Sequence, residues 1–290
     1  NNALAYNTTG AMNIGIGYDA GGNNTTGDAN VFMGPYAGQR NTTGSCNTAL
    51  GYNALYTSLS GCHNFAAGSQ ALYSNWGGNY NTGIGEYALY GNTTGGCNTA
   101  IGYGVLKSNT TGGKNIGIGT YALCDNTTGQ DNFVVGFYAA QSNTTGIHNT
   151  GLGRYTLNCN TTGRDNNAIG TNALRYNTEG CYNNAIGGGA LKKNTTGNYN
   201  NAMGYLSLYA GTSGNYNNAF GYAALYENTA GHANSAFGDS SLNVNTASDN
   251  AAFGHHTLKL NTSGSGNTAF GPYCLDANTT GGNNAAFGFH

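Results

Sequence analysis

This sequence predicts an all-β fold, a parallel β-solenoid or β-roll of about seventeen coils of seventeen residues each, on three observations. The same seventeen-letter unit, clearest as NTTGSCNTALGYNALYT from Asn41 to Thr57, recurs along the whole chain. With Asn41 as position one, position seven is Asn in every unit and position eleven is Gly in every unit. Large apolar residues do not return every three or four places, and the recurrent glycines would each cost a helix about 0.5–1 kcal/mol. A fixed period with no other kind of segment between copies is the signature of one supersecondary unit stacked on itself.

The elements follow in order within each coil. The marker Asn returns at 7, 24, 41 and onward in steps of seventeen, replaced by Ser58 and Gly211, with one step of sixteen between Asn245 and Asn261. Positions one to four (NTTG) read as a turn. Positions seven to twelve (NTALGY, Asn47 to Tyr52) and thirteen to sixteen (NALY, Asn53 to Tyr56) read as two extended segments, with a bend at the Gly between them. Coils stacked at about 4.8 Å put equal positions above one another. The expected structural columns are therefore Asn47, Asn64, Asn81 and Asn98 in one row and Gly51, Gly68, Gly85 and Gly102 in another. In the short coil Gly has become Ser248, and a deletion in a turn leaves the strands in register. Position ten (Ile16, Met33, Leu50 and onward) and position fifteen (Leu55, Leu72 and onward) are the expected core. The change at position ten from aliphatic residues to Phe220, Phe237, Phe253, Phe270 and Phe287 predicts a wider interior there, or a neighbouring side chain that shrinks. Small residues at positions nine and fourteen predict that another backbone comes close, in a flat coil or between chains.

Composition narrows the function. The formal net charge is −2, and nine Lys and Arg are scattered without forming a stripe. That pattern predicts no nucleic-acid partner and no cationic membrane face. No apolar run is long enough to span a bilayer, so no membrane insertion is expected. Both ends fall inside a unit, which suggests a single uncapped tract, 1–290, of a longer fibre or of a subunit that stacks end to end.

Few side chains suggest chemistry. Seven Cys contain no CxxC pair, the six His are dispersed apart from His255-His256, and eleven acidic residues form no recurrent pair. No catalytic, cofactor-binding or metal-binding residue is expected, and the chain does not read as an enzyme. Cys46 and Cys62, at positions six and five of adjacent coils, form the one candidate disulfide. Asn7, Asn24, Asn41, Asn92, Asn109, Asn126, Asn143, Asn160, Asn194, Asn261 and Asn278 each begin an N-x-Ser/Thr sequon, as does Asn23. They read either as a column of N-glycans or as the Asx turn residue of NTTG. Paired Thr at positions two and three raise ice binding as a weak alternative, since only one of the two ranks can face outward. Tyr recurs at positions twelve, thirteen and sixteen, where stacked rings stiffen the structure or make an adhesive surface.

The NTAIGY unit at Asn98 to Tyr103, with Asn109-Thr110-Thr111-Gly112 after it, resembles the N-T-A-I-G-Y-x-A-L repeats of phage tail-fibre-like proteins that precede an endosialidase-type chaperone. More distantly, its N-x-A-h-G core is similar to the head repeats of trimeric autotransporter adhesins, which use a shorter repeat. That resemblance implies a left-handed roll assembled as trimers and a location outside the cell or on a cell or virion surface. The expected role is a structural or adhesive fibre segment. It would self-associate as a homo-oligomer, a trimer or an end-to-end filament, with a cell-surface glycan or protein as the expected receptor. A tail-fibre shaft and a self-assembling glycosylated filament are the alternatives.

Overall fold

The computed structural model describes residues 2–290. The chain divides into two compact units, Asn1–Ile147 and His148–His290. Among the described residues every strand is three residues long and there is no helix. The first unit carries β1 (Ile14–Ile16) to β8 (Phe133–Val135) and the second β9 (Thr150–Leu152) to β17 (Ala285–Phe287). Within each unit every strand pairs in parallel with the next, residue on equivalent residue, as in Thr82↔Thr99 and Asn184↔Asn201. The short coil keeps register, with Ser235 opposite Ala251. There Ala247, rather than Ser248, supplies the carbonyl that Gly supplies in other turns, accepting from both Asn234 and Asn245. Each unit is therefore a parallel β-solenoid, as the period predicts.

Two expectations about the coil are corrected. The strand covers only positions eight to ten, and positions thirteen to sixteen form a turn instead of a second strand. The reason lies in the backbone. Positions six, thirteen and fifteen adopt positive φ, as at Cys46 (59°), Asn53 (53°) and Leu55 (52°), and Gly51 sits at 130°. These turns rotate the peptide planes so that N–H groups reach adjacent coils: Cys46 donates back to Asp28, Gly51 back to Met33, and Leu55 forward to Ala71. Left-handed Leu is costly, about 1–2 kcal/mol per residue, and tolerated because the alternative is a buried, unpaired peptide group.

The second correction concerns the core. Position nine, not position ten, points inward: Ala100 is fully buried while Ile101 is 36% exposed. The lumen is filled by Ala at nine and fourteen, Leu at fifteen and the two Asn columns, which leaves little beyond a methyl at position nine. One coil proves the shared space. Phe32 occupies position nine and is fully buried, and the two adjacent position-fifteen residues are Gly21 and Gly38. A Cβ at Gly38 would lie 2.2 Å from the Phe32 ring, and one at Gly21 would lie 2.6 Å from it. The Phe column from Phe220 onward does not widen the interior. It stacks outside, with ring centroids 4.4–5.3 Å apart and planes within 6°.

Candidate interaction surface

The two Asn columns lie inside in nearly every coil and are bonded from coil to coil. At position seven, the backbone N–H of Asn98 donates to Asn81 Oδ1 at 3.0 Å and its Nδ2 donates to the Gly112 carbonyl at 2.9 Å. The same pattern joins Asn47, Asn64 and Asn81 to their neighbours. At position one, Asn109 Nδ2 donates to Asn92 Oδ1 (2.8 Å) and to the carbonyl of Gly112, three residues on (2.9 Å). The predicted Gly row stacks equally closely: a Cβ on Gly51 would meet the Gly68 carbonyl oxygen at 2.8 Å, and one on Gly85 the Gly102 oxygen at 2.5 Å. Both rows are structural.

This geometry bears on the sequons. Asn24, Asn41, Asn92, Asn109, Asn126, Asn143, Asn160, Asn194 and Asn261 are buried, and their Nδ2, the atom a glycan would occupy, is committed to the turn. The folded coil therefore does not accommodate the glycan column. Asn7 and Asn278 are half-buried and make the same bond to Gly10 and Gly281. Asn23 alone is an exposed sequon.

The column breaks once in the first unit. Ser58 stands where Asn is expected, and both its Oγ and the facing Asn41 Oδ1 are buried with no hydrogen-bond partner. Ser58→Asn restores the missing amide donor and is expected to stabilise the protein by about 1–2 kcal/mol, read as a raised thermal or denaturant midpoint.

The Cys46–Cys62 bridge is not formed, and all seven thiols are free. Position six is left-handed and exposed at Cys46, whereas Cys62 Sγ accepts from the Ser45 N–H and donates to the Ser60 carbonyl. Cys46 and Cys97 are exposed, while Cys124 and Cys274 are buried. Burial, with Asp125 beside it, pushes the Cys124 thiol up to about 12. In native protein a maleimide is expected to label Cys46 and Cys97 quickly and Cys124 and Cys274 only after unfolding, checked by peptide mapping.

His255 and His256 stack with ring centroids 3.8 Å apart. They occupy positions twelve and thirteen, in the left-handed turn. Burial and nearby Lys259 lower the pKa of His256. Among the described residues no group of three or more His, Cys, Asp or Glu is placed to hold a metal ion, and no helix is long and apolar enough to cross a membrane.

What the coil offers to partners lies outside. Position-two Thr hydroxyls bond to the next coil, as Thr110 does to the Thr127 carbonyl (3.0 Å), even where the residue is exposed, as at Thr8 and Thr262. Tyr182, Tyr199 and Tyr216 form an exposed stack at position six with centroids 4.8–5.1 Å apart. The outer face of the sheet carries rows eight and ten. In the first unit Ile14, Met33, Phe65, Ile101, Ile116 and Phe133 stand exposed on it. No residue in either row of any coil is charged, although the chain has nine basic and eleven acidic residues. Fold and surface together define a parallel β-solenoid with a charge-free outer sheet face, apolar along row ten and mixed along row eight, where Asn167, Asn184, Asn201 and Asn218 bond side chain to side chain. In comparisons with family models, with curated proteins and with solved structures, the chain matches none.

Proposed function

We propose that this chain is a structural and adhesive segment of a fibre outside the cell or on a cell or virion surface, and that the outer sheet face packs against further copies of the chain. The observation that carries this reading is the charge-free outer face, apolar along all of row ten and joined in the first unit by Ile14, Phe65, Ile116 and Phe133 of row eight. A monomer in water rarely leaves a contiguous apolar patch of this kind uncovered. Eight large apolar side chains on these rows of the first unit stand exposed; at roughly 50–100 Å² each they present roughly 400–800 Å², comparable with the about 800 Å² per partner of a standard interface. Main-chain bonds run along each stack and the side-chain amides are locked inside. The coil therefore supplies stiffness and resistance to proteolysis, while the exterior supplies contact.

The test is to replace two outward residues, Ile84→Lys with Ile101→Lys, and to measure sedimentation velocity beside thermal stability. Both side chains already touch water, so the melting midpoint should move little while the assembly dissociates to smaller species. Unchanged sedimentation would remove the proposed interface.

A further inference from the structure

In the second unit the row of side chains at positions twelve and thirteen is interrupted. Most coils place a ring or another large side chain there, but one has Gly188 and Gly189. The interruption opens a groove of about 390 Å³, lined by Thr171, Asn172, Gly188, Gly189, Lys192 and Tyr205 among others. This volume lies in the range of small-ligand sites. Tyr205, 58% exposed, forms its wall. A Cβ on Gly188 would lie 3.1 Å from the Tyr205 ring, so the ring leans onto the glycine and no larger side chain of that coil covers it. The other face is turned to Tyr222, at a centroid distance of 6.0 Å.

The surroundings are basic. At positions twelve to seventeen of the four coils between residues 154 and 210 stand Arg154, Arg175, Lys192 and Lys193 and no carboxylate, while Asp165 and Glu179 stand at positions six and three. Lys192 Nζ lies 3.4 Å from the Tyr209 hydroxyl and 5.3 Å from its ring centroid. Behind the groove, Arg175 bonds Asn172 Oδ1 through Nη1 at 3.3 Å, while its buried Nε has no hydrogen-bond partner.

We infer that this groove binds an acidic saccharide, with a pyranose ring laid against the exposed part of the Tyr205 ring and its carboxylate held by Lys192. A flat apolar face beside a few convergent polar groups is what a sugar ring requires, and a charge-assisted contact selects the acidic one. Single-stranded nucleic acid also combines stacking with cations, but it needs a basic track along its backbone. The positive charge here is confined to one patch of a chain with net charge −2.

The inference rests on the adhesive part of the proposed function, and the fibre part stands without it. The experiment is calorimetry on the full chain with hexagalacturonate, maltohexaose and a twelve-residue oligothymidylate. Hexagalacturonate is expected to bind at least about tenfold more tightly than either of the others. Gly188→Tyr puts into the column the residue found at Tyr103 and Tyr205, fills the groove, and should weaken binding about tenfold or more with little change in melting midpoint. Lys192→Gln with Lys193→Gln should do the same without altering sedimentation, which separates this site from the sheet-face interface. The inference is overturned by no binding, by equal affinity for the neutral sugar, by oligothymidylate binding as tightly, or by undiminished binding in both variants.

Discussion

Gly85→Ala is expected to lower stability by about 3–5 kcal/mol, a very large effect for one methyl group. Two causes add. Gly85 holds a φ of 124°, which an L side chain rarely adopts. Its Cβ would also lie 2.5 Å from the Gly102 carbonyl oxygen and 2.7 Å from the carbonyl carbon of that coil. Backbone cannot swing aside as a flexible side chain can, so the two coils must separate and lose the ladder bonds around that point. Gly288 provides an internal contrast. Its φ is 145°, but a Cβ there meets nothing within 4 Å. Gly288→Ala should therefore show the conformational cost alone, about 1–2 kcal/mol. Comparing the two denaturation curves isolates the part that coil stacking contributes.

Asn98→Asp should be nearly as damaging at neutral pH. Asn98 Nδ2 donates to the Gly112 carbonyl and, at 3.2 Å, to Asn81 Oδ1. A carboxylate in its place turns both donations into contacts between acceptors and buries a charge. The Asn115 N–H and Nδ2 that now donate to Asn98 Oδ1, at 2.9 and 3.2 Å, would remain as favourable contacts. A loss of about 3–4 kcal/mol follows from a buried, unpaired charged group. The introduced acid would have its pKa raised in the folded state relative to the unfolded chain, so the folded state holds the proton more firmly. Stability should then recover as pH falls below the raised value towards 4, opposite to ordinary acid denaturation. Melting curves of Asn98→Asp at pH 7 and pH 4 measure this, and Asn98→Leu, which cannot titrate, should show no such recovery.

Much of the coil is legible in the sequence. The period gives the register, and invariance at positions seven and eleven marks the places where an amide must bond between coils and where no side chain fits. The face of the strand is harder to read. An alternation of Ala49 with Leu50, or Ala100 with Ile101, conventionally places the larger residue inside. Here the tube is too narrow for it, because Leu55 or Leu106 and two columns of Asn already fill the space. The signal that locates the lumen is Phe32, the one aromatic residue in the Ala column, accompanied by Gly21 and Gly38 in the Leu column. Large at nine with small at fifteen means that the two positions share one volume. The left-handed turn was not legible, because Tyr36, Cys46 and Leu55 are residues that local propensity alone would not place at positive φ. It is imposed by the need of each peptide group to bond along the stack. The groove at Gly188 and Gly189 becomes visible only once the neighbouring coil places Tyr205 beside it.

The most direct test of this account is a density map of the chain at side-chain resolution. It should show Asn81 and Asn98 in adjacent coils about 4.8 Å apart, with the Asn98 amide directed inward to the Gly112 carbonyl and the Ile101 side chain outward. Asn98 turned to solvent, Ile101 inside the lumen, or a pairing of strands shifted from the seventeen-residue register would contradict it.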